Sequence, residues 1–244
     1  MTSAQDPLLA TKDAGVLTVT MNRSPQRNAL SPGLVSAFAD ALADLAHDDS
    51  LGACVVTGAG SAFCAGLDFA AYAEANADRT TVTALLHSIG QTPKPIIAAV
   101  NGPAVTGGLE LALACDWIIA AENAVFFDTH ARVGAYPGGG LPAYLVEAVG
   151  LRTAKAMTLG GLRLDAVAAL RAGLVAEITS PAELLNRSAE VARTICMHDA
   201  RLVGMLRRGM NEAVGHTTEH TLRAGKEHLN TWRASADTTL QRSR

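Results

Sequence analysis

Residues 101–116 read NGPAVTGGLELALACD, and they follow an apolar run, Ile96–Val100, that is typical of a buried strand. Gly107 and the glycine after it open a helical pattern, and without a Cβ atom their backbone N–H groups can approach a ligand closely. The first N–H groups of a helix have no partner within the helix, so they attract negative charge. Glu110 follows one turn later among leucines and alanines, and this apolar setting is expected to raise the pKa of its carboxyl. The stretch therefore predicts an anion site beside a group that transfers protons near neutral pH, an arrangement suited to enolate chemistry.

Composition excludes several other classes of protein. The chain has 244 residues, 49% of them hydrophobic, which is ample material for a large buried core. A formal net charge of −3 gives no sign of the positive surface that binds nucleic acid. Charged residues interrupt the apolar runs before they could span a membrane. The four cysteines show no paired spacing, and the first residues lack the basic and apolar regions of a secretion signal. We therefore expect reduced thiols, a cytoplasmic location, and no nucleic-acid or membrane partner.

Strand and helix patterns alternate along most of the chain. Residues 15–21 alternate as a half-buried strand does, and Ser31 followed by Pro32 predicts the start of a helix. Further strands are predicted at 53–57, 96–100, 117–120, 124–126 and 174–178, a helical stretch at about 68–90, and mostly helix from 141 onward. This alternation predicts an α/β fold. We expect a core of residues 1–178 followed by a helical C-terminal region of residues 179–244.

Five segments in order make the chain resemble the crotonase family, also called the enoyl-CoA hydratase/isomerase family. They are NRSPQRNALS (22–31), AFCAGLD (62–68), NGPAVTGGLELALACD (101–116), DTHARVGAYPGGG (128–140) and GLVAEI (173–178). The resemblance implies a spiral of β-β-α units around two roughly perpendicular sheets. It also implies C-terminal helices that build a homotrimer, often paired into a homohexamer.

The same resemblance implies how the site is built. The family stabilises the enolate of an acyl-CoA thioester with two backbone N–H groups, and these donors match Leu67 and Gly107. Glu110 matches one of two catalytic glutamates. Backbone contacts to coenzyme A match the segment from Arg27 to Ala29 and the loop Ala65, Gly66, Leu67 and Asp68. Arg27 could also pair with a phosphate of coenzyme A, since guanidinium and phosphate groups fit each other well.

Residue 130 is the main departure from the family pattern. The second glutamate of the family lies four residues before the glycine that matches Gly134, and His130 holds that position. Three interpretations stay open. His130 replaces the glutamate as an acid/base group, since imidazole titrates at about pH 6.5; it positions the substrate and leaves Glu110 as the sole base; or it lines the pocket without a chemical role. Asp128 either orients the imidazole or points into solvent.

The resemblance implies an enzyme that adds water to a trans-2-enoyl-CoA, with the thioester as substrate and no metal or redox cofactor. One alternative is an isomerase or lyase with Glu110 as its sole base, and another is a non-catalytic acyl-CoA-binding protein. The chain ends without the basic, proline-containing tail of many family members. Arg207 or Arg208 is considered as a replacement for the coenzyme A contact of that tail.

Overall fold

The computed structural model describes residues 6–242, with side chains up to Ala234. The strands are β1 (Leu8–Asp13), β2 (Val16–Met21), β3 (Ala53–Gly58), β4 (Ile96–Val100), β5 (Ala104–Val105), β6 (Trp117–Ala121), β7 (Val125–Phe127), β8 (Leu164–Asp165) and β9 (Glu177–Thr179). The helices are α1 (Pro32–His47), α2 (Phe69–Glu74), α3 (Thr80–Gln91), α4 (Gly107–Ala114), α5 (His130–Val133), α6 (Leu141–Gly160), α7 (Ala166–Arg171), α8 (Leu184–Cys196), α9 (Ala200–Ala213) and α10 (Thr218–Arg242).

The larger of two sheets has the strand order β1-β2-β3-β4-β6-β9. Its neighbouring strands are parallel, except that β1 and β2 are antiparallel. The smaller sheet has the order β5-β7-β8. Parallel neighbours require a crossover connection, and α1 provides it between β2 and β3, as α3 does between β3 and β4. The predicted α/β class is therefore confirmed.

Both faces of the large sheet are covered. Strands β3 and β4 are buried along their whole length, as expected of central parallel strands. Val56 belongs to the main core, which includes side chains of α1, α3, α4 and α6. Val55 faces the other way and lies in a smaller cluster with Leu184 and Ala192 of α8. Helix α8 thus packs on the sheet, and the predicted division of the chain at residue 178 stays a prediction.

The start of α1 follows the predicted capping pattern. Ser31 is the N-cap, its Oγ accepts a hydrogen bond from the N–H of Leu34 at 3.3 Å, and Pro32 occupies the first helical position. The helical stretch expected at about 68–90 is instead two helices, α2 and α3. Asn76 lies between them with φ of +45°, and the Asp78 carboxylate accepts the N–H of Thr80 at the start of α3. These local contacts end one helix and begin the next.

Two strands differ from the sequence pattern. Strand β1 was not predicted because most of its side chains are exposed, so its pairing with β2 leaves no apolar periodicity. The strand predicted at 174–178 is wrong in its bounds, since β9 spans Glu177–Thr179. Leu174 and Val175 are buried as core residues of the preceding turn. Burial, and not strand pairing, explains that part of the apolar run.

The C-terminal helices α9 and α10 pack on each other and leave apolar side chains exposed. Leu206, Met210 and Leu222 are 57%, 66% and 65% exposed. Within the described residues, no helix combines the length and the apolar character needed to cross a membrane. The predicted role of this region in trimer formation stays a prediction.

The topology brings two loops together. Strands β3 and β4 are adjacent and parallel, so the loops that leave their carboxyl ends meet at the same edge of the sheet. The first loop runs through residues 59–68 and the second through 101–106. A bridge between Cys64 and Ala104 joins them. Helix α4 starts directly after the second loop, with Gly107 as its first residue.

Candidate active site

Two glycines allow the loops to touch. A Cβ atom on Gly66, which has φ of +91°, would lie 3.0 Å from the carbonyl oxygen of Val105 and 3.1 Å from the nitrogen of Gly107. A Cβ atom on Gly107 would lie 3.2 Å from the Cα of Gly66 and 3.4 Å from the nitrogen of Leu67. The backbone nitrogens of Leu67 and Gly107, predicted as the oxyanion donors, are therefore neighbours.

Neither of these two N–H groups donates a hydrogen bond to another of the described residues. The flanks of Leu67 are fixed nonetheless: Gly66 accepts from the N–H of Leu30 at 2.7 Å, and the N–H of Asp68 donates to Leu30 at 3.0 Å. Gly107 is free because the first N–H of a helix has no partner within it. The described part of the chain thus holds two adjacent donors in fixed positions and supplies an acceptor for neither of them.

Thr106 holds the turn directly before Gly107 and was not predicted as a site residue. Its φ of 53° and ψ of −109° are a conformation that non-glycine residues rarely adopt. Its backbone N–H donates to Phe127, and its hydroxyl lies 2.5 Å from that of Thr129 and accepts the N–H of Thr129. These bonds fasten the turn to the segment that precedes α5. Sequence reasoning passed over Thr106 because its partner lies 23 residues away.

Glu110 is buried, as its neighbours predicted, with 4% of its surface exposed. Its Oε1 accepts hydrogen bonds from the N–H of Gly139 at 2.8 Å and of Leu141 at 3.4 Å. Burial raises the pKa of Glu110 above its ordinary value, while the N–H of Gly139 and the neighbouring His130 oppose this only in part. The structure thus contains a fixed carboxyl that binds a proton more tightly than an exposed one.

His130 lies opposite Glu110. Its Nε2 is 3.9 Å from Oε2 of Glu110, and 7% of the residue is exposed. Its Nδ1 lies 2.7 Å from Oδ1 of Asp128, which also accepts the backbone N–H of His130 at 3.1 Å. The suggestion that Asp128 points into solvent is therefore wrong, because the residue is only 3% exposed. This arrangement favours a chemical role for His130 over an inert one.

Burial alone would raise the pKa of Asp128, but the ring and backbone N–H groups of His130 outweigh it, so the pKa lies below its ordinary value. Asp128 is therefore an ionised acceptor beside the imidazole. Within the described residues, no group of three His, Cys, Asp or Glu side chains is arranged to hold a metal ion. Glu110 and His130 are two facing groups suited to proton transfer, and Asp128 bonds the other side of the imidazole.

The loops predicted to contact coenzyme A also lie together. The N–H of Ala65 donates to the carbonyl of Arg27 at 3.0 Å, and the side chain of Arg27 is exposed. Both residues line a cavity of about 610 Å³ that Phe127 and Arg163 also border. The guanidinium of Arg163 lies 4.4 Å from the centre of the Phe127 ring. Arg163 was not predicted, and it brings a second positive charge to this cavity.

Asp68 and Ala29 take part in fixing the loop. Oδ2 of Asp68 lies 2.9 Å from Nη1 of Arg23, while its Oδ1 caps α2 by accepting the N–H of Ala71. The carbonyl of Ala29 accepts from the same Arg23 guanidinium. Arg23 was missed by the sequence analysis, since an arginine 45 residues from its carboxylate partner leaves no local signal. Asp68 therefore shapes the loop that carries Leu67.

Arg207 is occupied elsewhere. Its Nε donates to Oδ1 of Asp116 at 2.6 Å, and its guanidinium also donates to the carbonyls of Gly90 and Thr92 near the end of α3. The suggestion that Arg207 replaces a coenzyme A contact is therefore wrong, because its hydrogen bonds fasten α9 to the core. Arg208 is exposed and lies on the same helix.

Known proteins resemble the chain along nearly its whole length. Residues 11–242 match the enoyl-CoA hydratase/isomerase family. A probable mitochondrial enoyl-CoA hydratase of Dictyostelium discoideum is 38% identical over 217 residues, which are 88% of this chain and 77% of that protein. Enoyl-CoA hydratase from Mycobacterium tuberculosis is 41% identical in sequence. Its crystal structure matches the fold with a TM-score of 0.78, and the match covers 92% of this chain and 100% of the other. Enoyl-CoA hydratase from Bacillus anthracis is 27% identical, with a TM-score of 0.87 and coverage of 92% and 90%.

Proposed function

The chain belongs to the enoyl-CoA hydratase/isomerase family, and from this premise we propose that it adds water to a trans-2-enoyl-CoA to give the 3-hydroxyacyl-CoA. The observation that carries the proposal is the position of His130, with its Nε2 3.9 Å from Oε2 of Glu110. Hydration requires one group to take a proton from water and another to give a proton to the substrate. Two facing side chains of this kind meet that requirement.

The thioester oxygen binds at the N–H groups of Leu67 and Gly107. It gains negative charge as water attacks the β-carbon, and two fixed donors stabilise that charge more than water does. Each donor of this type contributes about 3–4 kcal/mol to the stability of a transition state. The absence of acceptors for both N–H groups among the described residues supports this assignment.

In the proposed reaction, a water lies beside Glu110 on the substrate side of the two facing groups. Glu110 accepts a proton from the water while the water oxygen bonds to the β-carbon. The raised pKa of the Glu110 carboxyl makes it a stronger base than an exposed carboxylate. His130 gives a proton from its Nε2 to the α-carbon. The proton on Glu110 then returns to His130, so the product contains one added water and the enzyme is unchanged.

Coenzyme A lies along the segment of Arg27 to Ala29 and the loop of Ala65 to Asp68, with Arg27 close to a phosphate. The substrate is the thioester, and the proposed reaction uses no metal or redox cofactor. The exposed apolar side chains of α9 and α10 support a homotrimer or homohexamer, which light scattering of the purified protein tests. The cytoplasmic location stays a prediction.

Loss of the conjugated-thioester absorbance of crotonyl-CoA tests the reaction. Glu110→Gln should lower kcat by roughly 10²–10⁴-fold, since the amide accepts the N–H of Gly139 but takes no proton. Glu183→Gln is the matched control, because Glu183 is exposed and its side chain makes no capping hydrogen bond at the start of α8. Full activity of Glu110→Gln, or no turnover with any acyl length, contradicts the proposal. Conversion of a 3-enoyl-CoA without hydration would indicate an isomerase, and tight binding without turnover a non-catalytic protein.

A further inference from the structure

The carboxylate of Asp128 is buried next to His130. Its side chain has no exposed surface, and its Oδ2 is buried without a hydrogen-bond partner among the described residues. A buried oxygen without a partner lowers stability, and buried charges are retained mainly where they meet a specific partner. Asp128 bonds His130 through Oδ1, and the nearby side chain of Thr158 is a further group that lowers the pKa of its carboxyl.

The geometry of that contact fixes which ring nitrogen carries a proton. Oδ1 of Asp128 accepts the backbone N–H of His130 at 3.1 Å and lies 2.7 Å from Nδ1 of the ring. An ionised carboxylate only accepts hydrogen bonds. Nδ1 must therefore be the N–H side of the imidazole, and Nε2 is the nitrogen that gains and loses a proton.

The opposite side of the ring faces the other acid/base group. Nε2 lies 3.9 Å from Oε2 of Glu110, whose Oε1 is fixed by the N–H of Gly139. A ring with its only proton on Nε2 would become an anion if it gave that proton to the substrate, and it has no lone pair on this side to accept a proton from Glu110. The tautomer of the ring thus decides whether His130 can take part in proton transfer.

We propose that Asp128 is a positioning residue that holds His130 with Nδ1 protonated, so that Nε2 faces Glu110 and transfers the proton in the hydration step. This inference rests on the proposed function for the identity of the reaction. The placement of the proton on the ring is independent of that reaction. Asp128 itself touches no reacting atom, so its effect reaches the substrate only through His130.

Nitrogen-15 NMR of histidine-labelled protein tests the proposal in the resting enzyme. The chain has seven histidines, and the loss of one signal in His130→Gln assigns the ring. We expect neutral His130 to be protonated on Nδ1 in the wild type. Asp128→Ala should move the proton to Nε2, which free imidazole prefers. Asp128→Asn should retain it on Nδ1, because the amide oxygen can accept both N–H groups. A wild-type ring protonated on Nε2 overturns the proposal without any variant.

Kinetics with crotonyl-CoA provide the second measurement. Asp128→Ala should lower kcat by about 10–100-fold and Asp128→Asn by less, with KM within about threefold of the wild type. Asp199→Asn is the matched control: it removes the same charge from the N-cap of α9, where asparagine caps equally well. A loss of kcat in Asp128→Ala with the tautomer unchanged would mean a merely structural residue and overturns the proposal. If the wild type hydrates no enoyl-CoA, the proposed function fails, while the NMR result still decides the role of Asp128.

Discussion

Replacing Gly107 with alanine should separate catalysis from folding. The new Cβ atom would lie 3.2 Å from the Cα of Gly66 and 3.4 Å from the nitrogen of Leu67. Carbon atoms in good contact are about 3.5–4.0 Å apart. The two loops must therefore separate by roughly 0.3–0.8 Å, which moves the two proposed oxyanion donors apart.

The expected losses can be scaled from this displacement. A misplacement of about 1 Å at a reacting centre costs around 10²-fold in rate, and removal of a whole oxyanion donor costs about 10²–10³-fold. We therefore expect kcat for crotonyl-CoA to fall by about 10–100-fold. Stability should change little, because the strain of the closer contact opposes the helix preference of alanine. Gly107 is the first residue of α4 and has no positive φ, and alanine favours a helix over glycine by up to about 1 kcal/mol.

The assay compares kcat and the urea midpoint of unfolding in Gly107→Ala and Gly33→Ala. Gly33 lies in the first turn of α1, and a Cβ atom there would meet nothing within 4 Å. The control variant should show the helix effect on stability with wild-type kcat. Wild-type kcat in Gly107→Ala would refute the placement of the oxyanion between these two loops.

Three further predictions concern side chains of the site and its support. His130→Ala should lower hydration by roughly 10²–10⁴-fold but isomerisation of a 3-enoyl-CoA far less, since isomerisation needs one base; equal losses would argue against the assignment. Glu110→Gln should raise the Tm at pH 7. The folded protein holds the Glu110 proton more tightly than the unfolded chain, so the wild type loses stability as the pH rises from the ordinary pKa of 4.5 through the raised pKa. Glutamine carries no such proton, so the variant escapes this loss. That difference in Tm should vanish at about pH 4. Arg207→Ala should lower the free energy of unfolding by about 2–3 kcal/mol, because it leaves Asp116 largely buried and unpaired, with no change of KM for the CoA ester.

The sequence predicts those elements whose signals are local. Strands β3 and β4 are short apolar runs, and Ser31 with Pro32 marks the start of α1, because each feature depends on consecutive residues. Strand β1 carries no such signal, since its backbone pairs with β2 while its side chains face solvent. The run at 174–178 misleads for the opposite reason, because burial in a turn selects the same apolar residues as a strand does.

The site shows the same division between local and distant information. The burial of Glu110 follows from its neighbours in sequence, and the raised pKa follows from that burial. The atoms that hold its carboxyl belong to Gly139 and Leu141, 29 and 31 residues away. The Arg23 partner of Asp68 is similarly distant in sequence. Such pairs form only when the chain folds, so no pattern within one segment of the sequence reveals them.

The segment from Asp128 to His130 acts as one unit because each of its residues bonds a different part of the site. Asp128 holds the imidazole, His130 faces Glu110, and Thr129 bonds Thr106 directly before the oxyanion turn. An imidazole at position 130 without a neighbouring acceptor could carry its proton on either ring nitrogen. The neighbouring aspartate removes that freedom, and the threonine fastens the same segment to the turn that carries Gly107. The hydrogen bonds of Asp128 and Thr129 thereby set the distance between the proposed proton-transferring group and the proposed oxyanion donors, so we expect substitution of either residue to affect kcat before it affects binding.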